Sequence, residues 1–316
     1  MFADNIADCL PDVGAEPVRL GTLRPRPNSR RLAGVADAFF TGIVAADQAF
    51  QRRVADRAME LECDVVITVE GATLPATVER LAEAKIPTVL WFPDHVANIA
   101  RQLMLIAPYK RVYFTDRMLV ERLTALTEVP AAYLPEACNP RWHAPPPTEP
   151  APDPVLVVAG NFYPSRVRLL DRLIADGVPL RLYGTPFARW IPNRPVMSAH
   201  THRWIARHEK AAVFRAAAGV LNNLHPAENG ANCRLFEATA CGAAVLVEDR
   251  PAVQELFDPS TELFTFSDYE QLLHRCRLLL ADPESSRLVK DAAARRAHAD
   301  HTYQHRLSSI LADVAP

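Results

Sequence analysis

The chain has 316 residues, 49% hydrophobic and 23% charged, an ordinary globular composition. At roughly 150 residues per domain this excludes a disordered chain and a single small binding module. Lys and Arg total 35 against 37 Asp and Glu, a net charge of -2, so no global field draws the protein to nucleic acid or anionic lipid and an anionic ligand needs a local site.

In chain order, the first segment, FADNIADCL, is helix-like and runs into a turn at Pro11 to Gly14. A doubly wound domain usually opens there with a buried strand, and PVRLGTL (17–23) reads as the second. Either the first strand is absent or the domain is built without it, and the strand edges this exposes would promote aggregation or a homodimer. DVVITVE (64–70), PTVLWF (87–92), RVYFT (111–115) and AAYLP (131–135) follow as strands, with Pro75 opening a helix that carries Val78, Leu81 and Ala82. HAPPPTEPAPDP (143–154) is too stiff for a helix or central strand and divides the chain. The expected plan is an N-terminal domain (1–143), a linker (144–154), a C-terminal domain (155–295) and a terminal helix (296–316) returning toward the first domain.

Beyond the linker, PVLVVAG (154–160), PLRLYG (179–184), GVLNN (219–223), AAVLVE (243–248) and ELFTF (262–266) read as strands. Ser165 is expected to cap a helix with Leu169, Leu170, Leu173 and Ile174 on one face. Ser267 and Glu270 should form a capping box before Leu272, Leu273, Cys276, Leu279 and Leu280. This alternation predicts an α/β protein of two doubly wound, Rossmann-like parallel sheets, with ligands bound outside the strands' carboxyl ends in the cleft between the domains.

Six cysteines without a CxxC pair read as reduced, mostly buried thiols. His298, His301 and His305 lack carboxylates in a known metal arrangement and read as packing groups, and His225, before Pro226, as a loop residue. No leader sequence and no run of about 18 apolar residues occurs, so a cytoplasmic protein without an integral membrane segment is expected.

The most informative segment is GVLNNLHPAENGANCRLFEATACGAAVLVED (219–249). A strand ends at Asn222 and Asn223, a loop follows, and Asn232 can cap a helix that runs through Glu237 and ends at Gly242. Backbone amides at such a helix start, here around Gly230, Ala231 and Asn232, suit a diphosphate. Glu237, one turn inside, can accept hydrogen bonds from a pair of sugar hydroxyls.

The string NGANCRLFEATACGA resembles the donor-site signature of group 1 glycosyltransferases of the GT-B fold, in particular the CgeB-like, spore maturation protein-like branch. WFPD (91–94), LPEACNP (134–140), LYG (182–184) and HTYQHR (301–306) extend the resemblance over most of 64–306. It implies transfer of a sugar from a nucleotide donor, bound mainly by the C-terminal domain, to an acceptor held mainly by the N-terminal one. Related enzymes carry two glutamates eight residues apart, the second on the donor ribose. Glu237 matches the second, whereas Asn229 stands at the first, with Glu228 one residue out of register.

The resemblance also places phosphate-binding cations after the first C-terminal strand. Here Asn161 follows the strand, and Arg166 is favoured over Arg168, which lies nearer the predicted apolar face; Arg234 is the second candidate. Asp94 and His95, after the strand PTVLWF, can orient or deprotonate an acceptor hydroxyl, and Glu136 and Asn139 sit where they could line the same cleft. No Asp-x-Asp triplet occurs, so a metal-independent enzyme without a cofactor is expected, the nucleotide sugar serving as co-substrate. The alternatives are a nucleotide-sugar epimerase of the same architecture and an inactive nucleotide-binding or partner-binding protein. The base, the sugar, the acceptor and the stereochemical outcome are not legible.

Overall fold

The computed structural model describes residues 2–21, 35, 42–69, 71–96, 105–187 and 192–315. Each apolar run that reads as a strand from 64 onward pairs in one of two parallel sheets. The chain divides into two compact units, Met1–Leu134 with Leu307–Pro316, and Pro135–Arg306.

The first unit opens with helix α1 (Phe2–Cys9), a 3-10 turn over Leu10–Val13 and Gly14 in the left-handed region at φ 79°. Helix α2 (Val44–Glu60) precedes β1 (Val66–Thr68), α3 (Pro75–Glu83), β2 (Thr88–Phe92), β3 (Arg111–Phe114), α4 (Arg117–Leu126) and β4 (Ala131–Tyr133). The sheet order is β1-β2-β3-β4, every pair parallel. Alternation along β2 and β3 places Leu90, Phe92, Val112 and Phe114 in one core with Val78 of α3. Trp91 and Tyr113, partners in register, point the other way. Phe2 packs edge-on to Trp91 at 4.7 Å, and the Tyr113 hydroxyl donates to Asp313 at 2.8 Å. The first and last helices thus pack on the face of the sheet that carries Trp91 and Tyr113.

PVRLGTL is not a strand: residues 15–20 have no regular structure, Thr22 and Leu23 lie outside the described residues, and β1 pairs only with β2 among the described residues. Leu20 is instead drawn against the Val66, Leu81 and Ile86 cluster as a packed loop residue.

The second unit contains β5 (Asp153–Gly160), α5 (Pro164–Ala175), β6 (Leu180–Gly184), α6 (Arg207–Ala216), β7 (Ala217–Asn222), α7 (Cys233–Ala240), β8 (Val245–Glu248), α8 (Pro251–Gln254), β9 (Phe264–Phe266), α9 (Tyr269–Ala281) and α10 (Arg287–Asp300). Helix α11 (Tyr303–Val314) begins in this unit and ends in the other. The sheet order is β6-β5-β7-β8-β9, all parallel. Val157, Ala159, Val220, Val245 and Val247 face one core with Phe214 and Phe236; Leu156, Val158, Leu221 and Leu246 face the other with Leu170, Leu173, Leu272 and Leu279. Among the described residues no helix is long and apolar enough to cross a membrane.

Three local expectations change. Pro164 takes the first helical position of α5, so its N-cap is Tyr163 and Ser165 lies inside the first turn. The α9 cap is Asp268, accepting the Gln271 amide at 2.9 Å while the Gln271 side chain accepts the Ser267 amide at 3.1 Å; the carboxylate one residue on from Ser267 takes the capping position. The proline-rich stretch 144–154 lies inside the second unit, because residues 135–143 are already anchored there. The Cys138 amide donates to His301 and its carbonyl accepts from Tyr303. β5 begins within the stretch at Asp153, which ion-pairs with Arg181.

β5 and β6 end on Gly160 and Gly184, partners in register. Gly184 has φ 141°, and a Cβ there would run into the Gly160 carbonyl. Gly184→Ala is expected to lower stability by about 3 kcal/mol in urea unfolding. Gly177→Ala, at φ 80° with open space around the added carbon, should cost about 1 kcal/mol.

Candidate functional site

In the order β6-β5-β7 the connections leaving β5 and β6 depart in opposite directions, so the carboxyl ends of β5 and β7 flank the switch point where open α/β sheets place ligands. Arg166, in the first turn of α5, is 1% exposed and spans this point. Its Nε donates to Asn223 Oδ1 at 2.8 Å, Nη2 to the Asn223 carbonyl at 2.5 Å and Nη1 to the Asn161 carbonyl at 2.6 Å. The guanidinium also lies over the Tyr163 ring at 4.5 Å. Arg166 is on the buried face of α5 and Arg168 is exposed, reversing the expected faces: the register of α5 is set by Val167, Leu170 and Leu173.

Arg234, at the start of α7, donates through Nε to Asn222 Oδ1 at 3.1 Å. Its guanidinium and that of Arg166 both approach the bare Cα of Gly160. Among the described residues neither arginine forms an ion pair. Burial, followed by the charge of Arg234, pushes the Arg166 pKa down to about 10. The Asn222 and Asn232 side-chain amide nitrogens are buried without an acceptor among the described residues. Two converging cations and two buried amide donors give this strand end a positive, donor-rich character.

The 223–232 loop is clamped from the end of β8. Glu248 accepts the Leu224 amide at 2.9 Å and pairs with Arg250, which also donates to the carbonyls of His225 and Glu228. Asn229, Gly230 and Ala231 follow, and Asn232 caps α7 by accepting the Arg234 amide at 3.1 Å. The Cys233 amide is taken by Glu136 Oε1 at 2.8 Å. The helix start is therefore partly satisfied from within. Glu136 serves as a cap, and Asn139 is a fully buried turn residue whose side chain accepts the Arg141 amide at 3.0 Å.

Glu237 is 3% exposed rather than a surface charge. Lys210 Nζ of α6 lies 2.9 Å from its Oε2, and His143 Nε2 lies 3.5 Å from its Oε1. His143 Nδ1 accepts the Asn139 amide at 3.0 Å, so the neutral ring carries its proton on Nε2, toward Glu237. Burial alone would raise the Glu237 pKa, but Lys210, His143 and Arg234 hold it at about 2. Burial pushes His143 down to about 4 against the pull of Glu237. For Lys210 burial opposes the charge, and Glu237 outweighs it, leaving the pKa above its ordinary value.

Asp94 and His95 sit in the first unit at the carboxyl end of β2, the exposed Asp94 accepting the His95 amide at 2.7 Å. The other candidates, Asn161, Arg166, Asn229, Gly230, Ala231, Asn232, Arg234 and Glu237, all belong to the second unit. Sequence reading missed Tyr163, Lys210 and His143. The signal for Lys210 is a lysine on the face of α6 shared with Ala211 and Phe214; His143 was absorbed into the proline-rich stretch. His298 and His301 bond the carbonyls of Ala240 and Leu256, and His305 bonds Thr302, all packing roles. Among the described residues no three His, Cys, Asp or Glu side chains converge on a metal-sized space.

Residues 166–312 match the family described as Glycosyl transferase-like. No curated protein sequence matches the chain. Among solved structures, a sucrose-phosphate synthase from Thermosynechococcus elongatus superposes with TM-score 0.59 at 14% identity, covering 93% of this chain and 81% of that one. HepE of Anabaena, solved with UDP-glucose, gives 0.61 at 11% identity over 83% and 82%. TarM gives 0.60 at 9% identity over 85% of this chain and 58% of its own. The fold is that of the GT-B glycosyltransferases.

His143 and His301, the latter also pushed down to about 4 chiefly by burial, are neutral in the native state near pH 5 and charged in the unfolded chain. Below about pH 6.5 the unfolded state binds more protons, so stability should fall with pH, by up to about 1.4 kcal/mol per unit for each histidine. Urea unfolding between pH 7 and 5 should show this slope, reduced by one proton in His143→Gln.

Proposed function

We propose that the protein is a CgeB-like group 1 glycosyltransferase that moves a hexosyl group from a nucleoside diphosphate sugar to an acceptor hydroxyl without a metal ion. The observation that carries this reading is the pair of arginines, Arg166 and Arg234, that converge beside Gly160 at the β5/β7 switch point with no carboxylate partner among the described residues. A diphosphate there receives the unused nitrogens of Arg234 and the spare Asn222 and Asn232 donors, while Arg166, already bonded to neutral oxygens, contributes its charge. Two fixed guanidiniums stabilise the diphosphate as the bond to the sugar breaks, the task otherwise given to a divalent cation.

Glu237, held ionised, accepts hydrogen bonds from the ribose hydroxyls. Asp94 and His95, at the carboxyl edge of the first sheet, take the acceptor side, orienting or deprotonating its hydroxyl. The matched family and the fold shared with HepE, whose structure holds UDP-glucose, support the reading. Thermal-shift screening against UDP, GDP, ADP, dTDP and their sugars identifies the donor, because a ligand of the native state raises Tm by mass action. Product analysis then separates a transferred sugar from an isomerised donor or from binding alone.

Glu237→Ala should weaken nucleotide binding roughly 10-fold to 150-fold, a loss of about 1.5 to 3 kcal/mol, in a protein that still folds. Unchanged affinity would remove Glu237 from the site. Arg234→Ala should slow transfer at least about 100-fold with little change in stability. Arg166→Ala should do both harms, since it strips partners from Asn161 and Asn223. Turnover should persist in EDTA; abolition by chelation and recovery with Mn²⁺ would overturn the metal-independent reading.

A further inference from the structure

Among the described residues Glu237 has two partners, one on each carboxylate oxygen, and they come from different parts of the second unit. Lys210 reaches Oε2 from α6, and His143 reaches Oε1 from the segment anchored beside α10 and α11. Each oxygen has about two acceptor directions, so each has the capacity for one more hydrogen bond beside its partner. The carboxylate can neither rotate nor swing without losing one of these contacts.

We propose that Lys210 is a positioning residue for donor selection: by fixing Glu237 in this pose, with His143 on the second oxygen, it makes the site choose a ribose over a 2′-deoxyribose. This rests on the reading of Glu237 as the ribose acceptor.

A purely structural role accounts poorly for the pair. Lys210 shares its helix face with Ala211 and Phe214, where an apolar side chain would complete the core, and buried ion pairs seldom add net stability over such a replacement. The pair does keep a full negative charge inside the protein with a defined orientation. Two ribose hydroxyls, both donating, need an ionised carboxylate with both oxygens as acceptors. Without Lys210, burial raises the affinity of Glu237 for a proton, and the protonated group loses one acceptor. The other titratable groups around the cluster are His143 and, acting on it, His208 of α6 and His298; Arg234 and Cys233 lie on α7 itself, and Cys241 just after it. Of these Arg234 alone is a permanent cation, and its Nε is committed to Asn222.

The test is calorimetric titration of wild type, Lys210→Met, Lys210→Arg, Glu237→Gln and the double variant with UDP, 2′-deoxy-UDP, GDP and 2′-deoxy-GDP, at pH 8 and pH 5, with Tm recorded without ligand. Wild type should prefer the ribonucleotide by about 10-fold or more at both pH values. In Lys210→Met the preference should collapse toward unity through weaker ribonucleotide binding, and ribonucleotide affinity should fall further at pH 5. Lys210→Arg should keep most of the preference.

If Lys210→Met retains the preference and a flat pH response, Lys210 merely packs and the proposal is overturned. Should Lys210→Met not fold, the double variant decides. Lacking an unpaired buried charge, it should match Glu237→Gln in selectivity, and a further drop would show that Lys210 acts independently of Glu237. Wild type and Glu237→Gln with equal ratios would instead sink the ribose reading itself.

Discussion

A single buried guanidinium ties together the two strand ends between which the site forms. Arg166 enters from the first turn of α5, after β5, and bonds both the side chain and the carbonyl of Asn223, after β7, while holding Asn161 beside its own strand. Those carbonyls sit past the ends of their strands, and at the buried Asn223 an orphaned carbonyl would be costly. Satisfying them with a cation rather than a neutral donor fixes the geometry of the switch point and leaves its charge unbalanced. Gly160 then becomes a requirement, because any side chain there would occupy the space of the second guanidinium, that of Arg234.

The consequence runs through the loop that follows β7. Negative charge lies deeper in the same helix and beside it: Glu237 one turn inside, Glu136 on the Cys233 amide, and Glu248 on the Leu224 amide. Each carboxylate has a dedicated cation or amide. Arg250 answers Glu248, and Lys210 answers Glu237. Among the described residues Arg166 and Arg234, the two cations beside Gly160, have no carboxylate partner.

The first unit solves a different problem. In its four-stranded parallel sheet, one face carries the aromatic side chains Trp91 and Tyr113. It is covered by the chain's two ends, Phe2 from α1 and Asp313 from α11. The Tyr113 hydroxyl finds its acceptor in Asp313 and so can be buried without loss.

The sequence by itself determined the two parallel sheets, because buried strands must be continuous apolar runs and β-branched stretches such as PTVLWF and PVLVVAG have no other stable place. It also determined the helix start at Asn232, the turn at Gly242 and the identity of the cationic candidates, since capping and left-handed turns depend on residues adjacent in the chain. PVRLGTL misleads for the same reason in reverse: its local pattern suits a strand, but a strand exists only if a neighbour offers an edge. The tertiary structure alone decided which arginine is buried, that Glu136 caps α7 across 97 residues of sequence, and that Lys210 and His143 grip Glu237. These depend on Coulomb and hydrogen-bond contacts between segments far apart in the chain. Such contacts leave no periodicity in the sequence, because a buried lysine and an exposed one are written with the same letter.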